Sequence, residues 1–136
     1  MVKIIYGTKG TGKTKQIIDQ CNATVESAKG NVVYITDTPE HSLEVKHSVR
    51  YINTKDYLIN SQDRLIGFLG GLMAGNTDIE FVFIDGVARM TDTSVAEQEA
   101  LYNFLGKLSD EFGTTFVLTV SSDVESMPNF IKKYIA

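Results

Sequence analysis

The sequence predicts an α/β fold, a three-layer sandwich on a mostly parallel sheet of about five strands. Three observations predict it. Short apolar, β-rich runs alternate along the chain with stretches of helical periodicity. A glycine-rich loop joins the first such run to the first helix. A later run, Phe81-Val82-Phe83-Ile84, closes in an aspartate, as a buried parallel strand does where it meets a site. Alternation of this kind gives a parallel sheet covered on both faces by crossover helices.

The elements follow in order. Val2-Lys3-Ile4-Ile5-Tyr6 reads as a buried strand. Ile17, Ile18, Cys21, Val25 and Ala28 then recur at helical spacing, with Lys29 in the last turn and Gly30 as a stop. Asn31-Val32-Val33-Tyr34-Ile35-Thr36 is a second strand, after which Thr38 can cap a short helix with Pro39 at its first position. Residues 49–53 give a short third strand at an edge. A helical stretch covers residues 55–74, with a break or fresh cap at Ser61 and Leu65, Ile66, Leu69, Leu72 and Met73 on its apolar side. Gly67, Gly70 and Gly71 weaken that helix and imply close packing on the sheet.

Residues 79–85 form the strongest strand after the first. Ser94-Val95-Ala96-Glu97 has capping-box spacing and opens a helix that turns Leu101, Phe104, Leu105, Leu108 and Phe112 inward before Gly113. Thr115-Phe116-Val117-Leu118-Thr119-Val120 is the last strand, and Phe130, Ile131, Tyr134 and Ile135 mark a short closing helix. The 136 residues make one domain, large enough to bury a core without staples.

The loop carries the chemistry. Gly7-Thr8-Lys9-Gly10-Thr11-Gly12-Lys13-Thr14 matches G-x-x-x-x-G-K-[ST] in full, a match that chance gives in on the order of 1% of such sequences. Its spacing wraps backbone N–H groups around a chain of phosphates. The glycines admit φ values that a Cβ obstructs, and Lys13 reaches the β- and γ-phosphates as a point charge. Thr14 offers a hydroxyl to Mg²⁺, and the helix that follows aims its positive end at the anion. Asp85, at the end of its strand, holds a carboxylate rigidly where it can anchor the same metal; otherwise it merely begins a turn with Gly86.

Composition sets limits around that site. A 43% hydrophobic and 22% charged chain is that of an ordinary soluble protein, and the expected compartment is the cytoplasm. No apolar run approaches the roughly 20 residues of a membrane span, and no signal peptide is expected ahead of the first strand. A net charge of -4 supplies no general attraction to nucleic acid, and Lys132-Lys133 reads as a solvated helix face. One cysteine excludes an internal disulfide, and Cys21 reads as core. His41 and His47 lie in a polar connection without metal-ligand spacing.

Together the loop, its strand and helix, and the apolar run ending in Asp85 resemble the P-loop NTPase superfamily over nearly the whole chain. The resemblance implies phosphate binding by Gly10, Gly12, Lys13 and Thr14, and metal binding by Thr14 and Asp85. GTPases of the superfamily carry D-x-x-G and a later N-K-x-D. Here Asp85-Gly86-Val87-Ala88 lacks the second glycine, and Asn53-Thr54-Lys55-Asp56 has the wrong order and precedes the aspartate strand.

The better resemblance is to the RecA-like ATPases, in which a further strand lies between the loop strand and the aspartate strand. The last strand fills that position here, with Ser121 or Ser122 either a polar group near the γ-phosphate or a serine closing a strand. Many such ATPases place a glutamate directly after the aspartate to orient water; this chain has Gly86. RecA and thymidine-kinase-like proteins take a carboxylate from the end of an earlier strand, where Asp37 and Glu40 stand. Helix capping is the competing role for both. Arg89, one of three arginines with Arg50 and Arg64, fits either a phosphate contact or a surface ion pair.

The sequence therefore leads to an ATP- and Mg²⁺-binding NTPase that turns over slowly until a partner protein or a second copy completes its site. Two alternatives stand beside it. One is a non-catalytic nucleotide-dependent switch. The other is a small-molecule kinase, disfavoured by the lack of an arginine-rich lid and of the cysteines for a zinc lasso.

Overall fold

The computed structural model describes residues 1–135. Its strands are β1 (Val2–Gly7), β2 (Asn31–Thr36), β3 (Arg50–Asn53), β4 (Ile79–Ile84) and β5 (Thr115–Ser121). Helices are α1 (Lys13–Ser27), α2 (Gln62–Gly75), α3 (Val87–Thr91), α4 (Glu99–Phe112) and α5 (Asn129–Lys132). All strand pairs are parallel, in the order β1-β5-β4-β2-β3. β5 thus lies between β1 and β4, as expected of it, and β3 takes one edge.

Burial follows the pleat, since neighbouring residues of a strand face opposite sides of the sheet. On one face Ile5, Val32, Tyr34, Phe83 and Val117 close over Ile17, Ile18 and Cys21 of α1. On the other, Val33, Ile35, Val82, Ile84, Phe116 and Leu118 pack against α2, α4 and α5 through Leu65, Leu69, Leu101, Leu105 and Ile131. These two cores give the helix–sheet–helix sandwich. No described helix is long and apolar enough to cross a membrane.

Several elements differ from the sequence expectation. β1 is an edge strand: Val2 and Ile5 are buried, while Lys3 and Tyr6 are exposed. The segment after Thr38 forms turns rather than a helix, because the Thr38 hydroxyl accepts a hydrogen bond from the Glu40 N–H at 3.1 Å and holds a local turn. The stretch at 55–74 breaks with a fresh cap at Ser61, as expected, but its first part is not α-helix. A 3-10 turn at Thr54–Tyr57 ends on Leu58 at φ 57°, and α2 starts afresh after Ser61, whose hydroxyl accepts from the Arg64 N–H.

Gly70 faces the ring of Phe104 on α4, with Cζ 3.4 Å from where a Cβ would stand, so the close packing is helix on helix. Gly67 and Gly71 have open space at that position. The capping box at Ser94 and Glu97 is present, yet it opens a 3-10 turn (Val95–Glu97) that runs into α4. Phe112 is partly exposed, while Tyr102 is buried in its stead. α1 ends at Ser27 with no basic residue in its last turn.

Candidate functional site at the carboxyl ends of the strands

The register that builds the sheet also builds the site. Ile35, Ile84 and Leu118 are paired across β2, β4 and β5. The next residue on each strand, Thr36, Asp85 and Thr119, therefore falls at the carboxyl ends on the face that α1 covers. A row of polar side chains meets the start of the helix there.

The loop between β1 and α1 is shaped by its own bonds. Gly10 and Gly12 take φ 87° and 81°, the left-handed region that a side chain disfavours. Thr11 Oγ1 donates to the Thr8 carbonyl at 2.8 Å and stands 2.6 Å from where a Gly7 Cβ would lie. Gly12 is the N-cap of α1 and supplies no side-chain acceptor, and the first turn holds no acidic residue. The helix thus presents unpartnered N–H groups and an unneutralised positive end. Lys13 is 9% exposed, and its Nζ donates to the Thr8 carbonyl at 3.0 Å. Among the described residues no carboxylate pairs with it.

Asp85 stands opposite, 3% exposed at the end of β4. Its Oδ2 accepts from the Thr14 hydroxyl at 2.8 Å and its Oδ1 from the Thr119 hydroxyl at 2.6 Å. Thr119 Oγ1 in turn accepts from the Gly86 N–H at 3.2 Å. Two hydroxyls fix both carboxylate oxygens, and among the described residues no cation pairs with them. A buried carboxylate without a direct ion-pair partner is costly, and the two hydroxyl donors offset part of that cost.

A cleft of 210 Å³ separates the two halves, lined by Lys9, Gly10, Gly12, Lys13, Thr14, Asp85 and Ser121 among others. Val87, Val95 and Val120 give it an apolar wall, and Gln98, almost fully buried, a polar one. A second cleft of 330 Å³ opens on the other side of Thr14 and Asp85, lined by Thr36, Asp37, Thr38, Glu40, His41 and Lys55. Arg89 borders both. The Thr36 hydroxyl beside this second cleft is buried and has no hydrogen-bond partner.

Asp37 and Glu40 do not cap a helix. Asp37 accepts two hydrogen bonds from Arg89, from Nε at 3.3 Å and Nη2 at 3.2 Å. The Arg89 ion pair expected at a surface is thus half-sheltered: Asp37 is 15% exposed and Arg89 58%. The hydrogen bonds to Asp37 raise the Arg89 pKa above its ordinary value, against burial, which lowers it. Glu40 is exposed in the second cleft, and His41 pairs with Glu44. Gly7, Thr8 and Thr11 shape the loop from outside the first cleft. Among the described residues no group of three His, Cys, Asp or Glu side chains could hold a metal by itself.

Sequence reasoning did not find Thr119. Its signal was a polar residue in an otherwise apolar strand, Phe116-Val117-Leu118-Thr119-Val120, on the face shared with Asp85. Nor did it find α3, which is only five residues long.

No protein-family model matches the chain, and no curated protein sequence matches it.

Proposed function

We propose that the chain is an ATP- and Mg²⁺-binding P-loop NTPase of the RecA-like branch, hydrolysing the terminal phosphate of ATP. One observation carries this reading. A buried ammonium, Lys13, and a buried carboxylate, Asp85, line a common cleft, neither in a direct ion pair among the described residues, beside a helix start with open N–H groups. An anion that brings its own divalent cation satisfies all three features, and a magnesium nucleoside triphosphate is such an anion.

The donor set fits Mg²⁺. That ion needs few protein ligands, because it keeps several waters and takes phosphate oxygens. The hydroxyl of Thr14 and the carboxylate of Asp85 would hold it, the latter directly or through water, and the unpartnered hydroxyl of Thr36 suits a contact with its water shell. When bound, the ion supplies positive charge to the β- and γ-phosphate oxygens. Lys13 and the loop N–H groups hold the phosphates, and Ser121 lies at the cleft wall within the same reach. Asp37 and Glu40 stand in the adjoining cleft, where a carboxylate can accept a proton from water. Adenine is preferred to guanine because the guanine motif has no counterpart in the sequence.

A second reading is favoured by the Arg89–Asp37 pair, which occupies one of the two candidate carboxylates. Such a chain would bind nucleotide and change state without turnover, completed by a partner protein or a second copy. Steady-state phosphate release, with Lys13→Ala as control, tests the assignment. Release that Lys13→Ala abolishes supports the hydrolase. Release unchanged in the variant contradicts it, and tight ATP binding without release favours the switch.

A further inference from the structure

Among the described residues, the side chain of Arg89 is the one basic group that borders both clefts. It rises from α3, the short helix that directly follows the Asp85 strand. Gly86, at φ 91°, leaves bare the place where a side chain would stand; a Cβ there would lie 2.6 Å from Arg89 Cζ. The guanidinium therefore crosses over Gly86 to reach Asp37 at the end of β2. Glycine is favoured at this position by its left-handed backbone, and the guanidinium of Arg89 occupies the space that a side chain there would take. The pair is more than half exposed at its arginine end, so water screens it and the cost of breaking it is small. A fully charged phosphate in the first cleft offers the same planar fork a stronger acceptor.

We propose that Arg89 contacts the terminal phosphate of a bound triphosphate, and that its bidentate pair with Asp37 is the resting position from which the phosphate draws it. The inference rests on the nucleotide-binding reading above and adds a residue that distinguishes triphosphate from diphosphate. In the resting chain Arg89 holds Asp37 as a paired anion. With a triphosphate in place the guanidinium turns to the γ-phosphate, and Asp37 is left free in the second cleft beside Thr14 and Asp85.

The step this serves is transfer of the γ-phosphoryl group to water. The water oxygen bonds to the γ-phosphorus as the bond from that phosphorus to the β–γ bridging oxygen breaks. The electron pair of the broken bond leaves on ADP, and the water proton passes to the Asp37 carboxylate. Arg89 stabilises the charge on the equatorial oxygens during the exchange. Turnover is thereby tied to the presence of a third phosphate, because only that phosphate releases the base.

The test is calorimetric titration with the β,γ-imido analogue of ATP and, separately, with ADP, both with Mg²⁺. It uses the wild-type chain, Arg89→Ala, Arg89→Lys, Asp37→Asn and the Arg89→Ala/Asp37→Asn double variant. Arg89→Ala should weaken the analogue about tenfold and leave ADP unchanged, the loss of one charge-assisted contact. Arg89→Lys should recover part of that loss, since it keeps the charge without the fork. Asp37→Asn should bind the analogue more tightly while losing turnover, because the competing acceptor has gone. In the double variant that gain should vanish.

Equal losses for analogue and ADP in Arg89→Ala, or no loss for either, would overturn the inference. So would a gain from Asp37→Asn that persists undiminished without Arg89. Failure of the broader reading looks different: neither nucleotide binds the wild-type chain, or both bind Lys13→Ala as well as wild type. Thermal unfolding of each variant identifies any loss that reflects the fold.

Discussion

The two clefts on either side of Thr14 and Asp85 differ in how far their charges are already satisfied. In the first, the Lys13 ammonium meets only a neutral carbonyl, and the helix start beside it has no cap. Its geometry is held by backbone conformation and by bonds within the loop, so it is shaped before any ligand arrives. In the second, the groups are engaged with one another. Asp37 is held by Arg89 and His41 by Glu44, while the exposed Glu40 and Lys55 line the same cleft. On the proposed reading, the preorganised, unpaired charge of the first cleft would bind the phosphates, and the paired charge of the second would hold chemistry back until the pair rearranges.

Removing the charge of the first cleft should have the largest effect. Lys13→Ala deletes the buried ammonium that lines the first cleft and, on the proposed reading, should lower ATP affinity by about 100-fold or more, with little loss of stability. Next comes the group shared by both clefts. Asp85→Asn keeps the shape and removes a buried, unpaired negative charge, so ATP affinity should cease to depend on Mg²⁺ while the melting temperature of the nucleotide-free chain holds or rises. Titrations with and without Mg²⁺, and thermal unfolding, measure the two effects. A variant that melts well below wild type would show Asp85 to be a structural anchor instead.

Thr119→Val tests the support beneath Asp85. It strips a hydrogen bond from Oδ1 and leaves the Gly86 N–H without its acceptor, costing about 1–3 kcal/mol in urea unfolding. ATP affinity should fall with it, as the carboxylate loses its fixed orientation. Gly86→Ala should cost about 1–2 kcal/mol through its positive φ, and the added Cβ should push the Arg89 guanidinium aside. The Arg89–Asp37 pair should be disturbed while Lys13 is not, so ADP should bind Gly86→Ala as it binds wild type.

The smallest effect concerns the core under α1. Burial pushes the Cys21 thiol up to about 12 from its ordinary 9.0. Below pH 9 the thiol is neutral in both folded and unfolded chains and stability is unaffected. Above it the unfolded chain ionises first, so stability declines as pH rises toward 12. Cys21→Ala should abolish that part of the alkaline loss, and native Cys21 should resist thiol reagents until the chain unfolds.

What was legible in the sequence follows from the range of the interactions involved. The loop from Gly7 to Thr14 is local and its strand and helix are adjacent, so its setting and its left-handed glycines could be read from spacing alone. Asp85 was legible because four apolar residues fix its strand and its end. Strand order was partly readable: β5 could be placed between β1 and β4, yet the edge position of β1 depends on which strands pair at a distance.

Thr119 escaped for the same reason, since its contact with Asp85 exists only through the pairing of Ile84 with Leu118. The residues after Pro39 misled because proline suits a first helical turn and a tight turn equally. The pairing of Asp37 with Arg89 joins residues 52 positions apart, and nothing local announces it.

The central claim is that the first cleft is built for a magnesium nucleoside triphosphate before any partner is present. Calorimetric titration of the isolated wild-type chain with ATP, at fixed Mg²⁺ and again with the metal chelated, tests it most directly. The account predicts saturable binding at one site per chain, weakened by chelation and lost in Lys13→Ala. Absence of binding by the wild-type chain, or binding that Lys13→Ala leaves intact, would contradict it.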